Sequence, residues 1–123
     1  MLDCARHFHS IDDIKRLINQ LAHYKFNTFH WHLTDDEGWR LEINAFPQLT
    51  QVGAFRGRES KLKPQFSHLS PLYGGYYSQH QVREVIAYAQ ERGITVIPEI
   101  DICLLYTSPS PRDQLTSRMP SSA

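Results

Sequence analysis

The acids and histidines whose spacing could do chemistry lie in two short stretches. His30 and His32 are followed by Asp35 and Asp36, and near residue 100 stand Glu99 and Asp101. Arg6 lies apart from both, near the start. An H-x-H pair with acids close by can ligate a metal. It can equally be a hydrogen-bonded network that sets the proton affinity of one member. Adjacent acids after a strand also commonly anchor a turn. Glu99 and Asp101 read equally well as network acids or as ligand contacts. An arginine offers a rigid fork for two charge-assisted hydrogen bonds, although on composition alone Arg6 reads better as a surface residue.

The elements that would position these groups follow from hydrophobic period. Ser10 and Asp13 make a capping-box signature, and Ile14, Leu17, Ile18 and Leu21 then form one apolar stripe, so residues 11–24 are expected to be helical. From Phe26 to Thr34 the period drops to two. Phe29, Trp31 and Leu33 alternate with Thr28, His30 and His32, which predicts a strand ending at Asp35-Asp36. Alternation puts Asp36, not Asp35, on the side of the two histidines. Residues 37–77 lose periodicity after a short alternating stretch at Trp39–Ile43, and with Pro47, Gly53, Gly57, Pro64, Pro71, Gly74 and Gly75 they read as a long functional loop.

Ser78 and Gln81 form a second capping box, and Val82, Val85, Ile86 and Ala89 give a second helical stripe over residues 79–92. Gly93 stands where a left-handed cap is expected. Ile94 to Ile97 then reads as a buried strand leading through Pro98 to Glu99-Ile100-Asp101. With Leu2 to Cys4 as a weak first strand, the order calls for a parallel sheet with crossover helices. The acids fall at the C-terminal ends of the strands, where a (β/α)8 barrel carries its active site. Such a barrel needs about 250 residues, so about three strand-helix units are its N-terminal part. Residues 103–123 carry three of the seven prolines without an amphipathic period, and are expected to be disordered or an artefactual tail. The organisation is therefore 1–102 as partial barrel and 103–123 as tail.

Bulk properties exclude other classes. The 123 residues are 41% hydrophobic and 21% charged, with mean hydropathy of -0.46, which suits a soluble globular domain. Thirteen basic and 13 acidic residues cancel, so nucleic acid is not an expected partner. No apolar run suits membrane insertion, and the start lacks the pattern of a signal peptide. Cys4 and Cys103 form neither a metal-finger pair nor a disulfide framework.

The run His30-Trp31-His32-Leu33-Thr34-Asp35-Asp36-Glu37-Gly38-Trp39-Arg40 resembles the F-H-W-H-L-T-D-D-x-G-W-R signature of family-twenty β-N-acetylhexosaminidases. Leu2-Asp3-Cys4-Ala5-Arg6-His7-Phe8, Gly74-Gly75-Tyr76-Tyr77-Ser78 and Pro98-Glu99-Ile100-Asp101 resemble three further motifs of that family, in the same order. The resemblance implies a glycoside hydrolase that removes terminal non-reducing N-acetylhexosamine from oligosaccharides or glycoconjugates. It implies no cofactor and no metal. The substrate's own 2-acetamido oxygen is the nucleophile, a departure from the two-carboxylate scheme. By the same resemblance, Arg6 grips the sugar's 3- and 4-hydroxyls, and Asp35, with a histidine, supports a catalytic glutamate. That glutamate and its partner aspartate belong to the fourth strand, beyond this sequence, so the chain alone is expected to be inactive. The supporting histidine belongs to P-E-I-D-x-P-G-H, from which this chain departs at Cys103-Leu104-Leu105. The family is secreted, periplasmic or lysosomal, while the sequence leaves the compartment open.

His30, His32, Asp36, Glu99 and Asp101 are the remaining network candidates. Trp31 and Trp39 could stack on sugar, but core positions suit them better, and Tyr76 and Tyr77 read as loop packing. Two alternatives stand beside this reading. One is a metal-dependent barrel amidohydrolase using His30 and His32. The other is a non-catalytic sugar-binding remnant.

Overall fold

The computed structural model describes residues 1–57, 60–62 and 72–102. Pro64, Pro71 and the expected tail at 103–123 lie outside the described residues. Strand β1 (Leu2–Asp3) leads to helix α1 (Ile11–His23) and strand β2 (Thr28–Asp35). Then come β3 (Gly38–Trp39), the single turn α2 (Gln48–Gln51), β4 (Phe55–Arg56) and β5 (Tyr73–Gly74), and last α3 (Gln79–Gln90) and β6 (Thr95–Ile100).

β2 is the central strand. β1 and β6 flank it in parallel, with Asp3 opposite His32 and Thr28 opposite Thr95, while β3 folds back antiparallel on its end. Parallel neighbours require crossovers, and α1 and α3 supply them. Phe29, Trp31 and Leu33 turn to the helices and join Ile14 and Ile18 of α1 and Val85 and Ala89 of α3 in one buried cluster with Cys4, Tyr77 and Ile94. Period-two and period-3.6 stripes therefore meet as the sequence predicts.

Both helices start where expected, with different chemistry. At α3 the box is reciprocal: Ser78 Oγ accepts the Gln81 N–H at 3.1 Å and Gln81 Oε1 accepts the Ser78 N–H at 2.9 Å. At α1 the Ser10 hydroxyl accepts the Asp13 N–H but donates to the Asp13 carboxylate, so only half of the expected box forms. Gly93 takes the left-handed conformation, φ 72°, and lets the Ile94 N–H return to the Ala89 carbonyl.

Two expectations need correction. β6 is not a buried strand: Ile97 and Ile100 are about half exposed, because among the described residues β6 pairs only with β2. The span 37–77 is not plain loop either. Phe55 and Arg56 pair antiparallel with Gly74 and Tyr73, and Leu41 bridges to Tyr77. These pairings use backbone groups rather than an apolar period, which is why periodicity did not show them. No helix of the described residues is long and apolar enough to cross a membrane.

Candidate active site

Arg6 leaves the end of β1 and meets the acids at the end of β2. Its Nη2 is 2.7 Å from Asp35 Oδ2, its Nη1 is 2.9 Å from Asp3 Oδ2, and its Nε is 3.6 Å from Asp36 Oδ1. The side chain is nearly half exposed, so an arginine that composition assigns to the surface has its charge pinned there by three carboxylates. The Asp3 hydrogen bond raises the proton affinity of Arg6 further. Asp36 is pushed above its ordinary value, by burial and by the charge of Asp35. Its Oδ1 is buried without a hydrogen-bond partner.

Strict alternation would have aimed Asp36 at the histidines. Instead Asp35 Oδ2 lies 3.2 Å from His32 Nε2. The cause is a break in register between β2 and β6: His32 lies opposite Glu99, yet Thr34 lies opposite Ile100. One extra residue on β2 is thus absorbed as a bulge, a device that re-aims side chains beside functional sites. The motif resemblance favoured Asp35, and the bulge is its physical reason.

His32 is 4% exposed, with Asp3 Oδ1 3.4 Å from its Nδ1 and Asp35 at its other nitrogen, neither contact being an aligned hydrogen bond. His30 Nε2 sits 2.5 Å from Glu99 Oε2 on the same face of the sheet. Asp101 joins through its backbone: its N–H donates to the Thr34 carbonyl and its own carbonyl accepts the Thr34 hydroxyl at 2.7 Å. The histidines thus face different acids rather than a common point. Among the described residues no three His, Cys, Asp or Glu side chains converge as a metal site would require. This geometry does not favour the amidohydrolase alternative.

Trp31 and Trp39 are buried, with the Trp31 indole donating to Cys4 Sγ at 3.2 Å. Tyr77 is core, its hydroxyl donating to the His9 carbonyl at 2.6 Å, and burial pushes its phenol up. Tyr76 is partly exposed against Phe55.

Three residues that hold the site in place were not singled out from sequence. Asp3 is one. Arg40 is the second: it is 1% exposed, and its fork donates to the carbonyls of Cys4 and Ala5 at 2.9 Å each, to Gly75 at 3.1 Å, and to Ala54. It therefore grips the backbone immediately before Arg6. Gly38 makes room for it, since a Cβ there would stand 2.5 Å from the guanidinium carbon. Gly74 serves the same junction: at φ +143° its missing side chain lets the backbone pass the Ala54 carbonyl. Arg56 is the third, donating to the carbonyls of Asp36 and Glu37 just after Asp35. The available signals were Asp3 three residues before Arg6, and Arg40 closing the tryptophan-arginine motif.

Comparison with known proteins identifies the family. Residues 1–103 match the family described as glycosyl hydrolase family 20, catalytic domain. The chain is 72% identical over 102 residues to a β-hexosaminidase of Vibrio furnissii, covering 83% of this chain and 17% of that protein. It is 41% identical over 101 residues to the chitooligosaccharidolytic β-N-acetylglucosaminidase of Bombyx mori, covering 82% of this chain and 14% of that protein. Its structure resembles the family-20 exo-β-N-acetylglucosaminidase of Vibrio harveyi solved in complex with N-acetylglucosamine, with a TM-score of 0.81 and 66% identity over 84% of this chain and 16% of that one. The chain spans about a sixth of the length of these relatives. The matched stretch contains every residue of the site from Arg6 to Asp101, and the chain belongs to glycosyl hydrolase family 20.

Proposed function

We propose that residues 1–102 form the first part of the (β/α)8 catalytic barrel of a retaining β-N-acetylhexosaminidase, acting on terminal N-acetylhexosamine of oligosaccharides or glycoconjugates. The observation that carries this reading is the 2.7 Å contact of Arg6 with Asp35 at the C-terminal ends of adjacent parallel strands. That is where a barrel opens to substrate. The relatives' names, β-hexosaminidase and chitooligosaccharidolytic β-N-acetylglucosaminidase, support the substrate class.

In the proposed reaction the acetamido oxygen of the bound sugar attacks its own anomeric carbon as the bond to the leaving group breaks. A carboxylic acid protonates the departing oxygen, and water later opens the oxazolinium ion with retention. Arg6 has five N–H groups, and its acidic neighbours leave some of them for sugar hydroxyls. A guanidinium so pinned can hold a neutral sugar in a fixed orientation without swinging away. Asp35, tied to Arg6 and beside His32, presents a charge at the same mouth, suited to raising the proton affinity of an acid placed next to it. Asp36-Glu37 does not replace the acid of the reaction, because Glu37 is buried beside Arg56, 4.0 Å from its Nε. The 123-residue chain alone is accordingly expected to leave substrate intact.

The test is hydrolysis of an aryl N-acetylglucosaminide by the full-length protein that carries this segment. Arg6→Ala should lower kcat/KM by about 10²- to 10³-fold, as expected when two charge-assisted hydrogen bonds are lost. Asp35→Ala should lower it by roughly 10²-fold through the acid it supports. Normal turnover by both variants would refute the assignment.

A further inference from the structure

We propose that Asp3 is a positioning residue for this site, the fixed corner of a closed ring of side chains that sets Arg6 and Asp35 against each other. The proposal rests on the sugar-binding reading of Arg6 given above. Asp3 holds Arg6 at two points: Oδ1 accepts its backbone N–H at 3.0 Å and Oδ2 accepts Nη1 at 2.9 Å. Both the root and the tip of a long, rotamer-rich side chain are therefore fixed by one short one. Oδ1 also faces His32 Nδ1 at 3.4 Å, and the opposite imidazole nitrogen faces Asp35 Oδ2 at 3.2 Å. Asp35 Oδ2 returns to Arg6 Nη2 at 2.7 Å, which closes the ring.

The ring is a product of strand pairing. Asp3 lies directly opposite His32 in the parallel ladder, and the bulge after His32 brings Asp35 to the same side. Each acid stands between a guanidinium and an imidazole, so neither carboxylate can reorient without leaving one of two partners. Burial by itself would raise the Asp3 carboxyl, but hydrogen bonds from the Arg6 backbone and guanidinium, with the charges of His32 and Arg6, bring it below its ordinary value. Asp3 thus stays ionised, as a counter-charge for Arg6 must. Asp36 lacks this hold: its contact with Arg6 is 3.6 Å and its proton affinity is raised. Asp3 thus fixes the root of Arg6 and one outer nitrogen, Nη1, and leaves the remaining guanidinium N–H groups for Asp35 and ligand.

A double-mutant cycle in the full-length protein separates positioning from a purely structural role. Asp3→Asn keeps the shape and one acceptor oxygen but removes the charge. It should lower kcat/KM for the aryl N-acetylglucosaminide by about 10- to 100-fold, the effect of weakening one charge-assisted hydrogen bond, with the larger share in KM. In an Arg6→Ala background the same change should cost less than about threefold, because the group being positioned is gone. Asp3→Ser is carried through the same cycle, with rates normalised to the folded fraction, so that any folding loss is divided out. Losses that multiply in both cycles overturn the proposal. A crippled R6A enzyme with multiplying losses removes only the role of Asp3, whereas a fully active R6A enzyme removes the sugar-binding reading and this one with it.

Discussion

Replacing Arg40 with methionine keeps much of the side chain's length and none of its N–H groups, so the carbonyls of Cys4, Ala5 and Gly75 lose their donor at once, while the Ala54 carbonyl keeps the Gly75 N–H. A buried acceptor left without a partner costs about 1–3 kcal/mol. Water entering the vacated space could satisfy about half of these three at most, since such a water needs polar partners and room. The methionine variant also escapes the cost of burying a cation, a cost reflected in the way burial pulls the Arg40 guanidinium below its ordinary value. Setting these against each other, we expect a local loss of about 3 kcal/mol, on the order of 10²-fold in the opening equilibrium. Lysine should recover part of this, because its ammonium has three donors but no fork. Amide hydrogen exchange on the full-length protein reads the effect where it arises. The amides of Cys4, Arg40, Gly75 and Tyr77, each bonded to a neighbouring segment, should exchange up to roughly 10²-fold faster, while the middle of α1 changes little. Protection of those four amides within threefold of the parent would refute the idea that the guanidinium holds the junction.

Asp36→Asn tests the electrostatics by its sign. Because the folded-state proton affinity of Asp36 is raised, its contribution to stability is present below the ordinary value of 3.8 and lost as pH rises through the folded value. The substitution should therefore raise the thermal midpoint at pH 7 and leave it unchanged near pH 3; an equal shift at both would count against the assignment. Ser78→Ala removes the hydroxyl that accepts the Gln81 N–H and should cost about 1 kcal/mol, read as faster exchange in the first turn of α3, with Ser78→Gly costing less. No difference between alanine and parent would show that the cap contributes nothing.

The parts of this fold legible in the sequence are those whose partners are local or generic. Ile14 and Ile18 repeat at helical spacing whatever they pack against, and Phe29, Trp31 and Leu33 mark a strand with one face to a core. β6 shows the limit. Ile94 to Ile97 is as apolar as a central strand, but exposure depends on which strand lies beyond it, and among the described residues β6 pairs on one side only. Site residues divide in the same way. The motif resemblance pointed to Arg6 and Asp35, which meet at 2.7 Å, whereas counting along the strand pointed to Asp36. Arg40 and Arg56 stayed hidden because their partners are backbone carbonyls from separate segments, and a carbonyl has no letter in the sequence. Asp3 was overlooked because its value lies in a three-way meeting with Arg6 and His32 that only strand pairing creates.

The bulge between His32 and Thr34 also changes how this stretch should be aligned with others. It swallows one position, so a regular strand one residue shorter would still turn the first acid of the pair toward the arginine. Equal spacing from the histidine is therefore a poor guide to equivalence between two such strands. Correspondence is better assigned by the direction in which each carboxylate leaves the backbone.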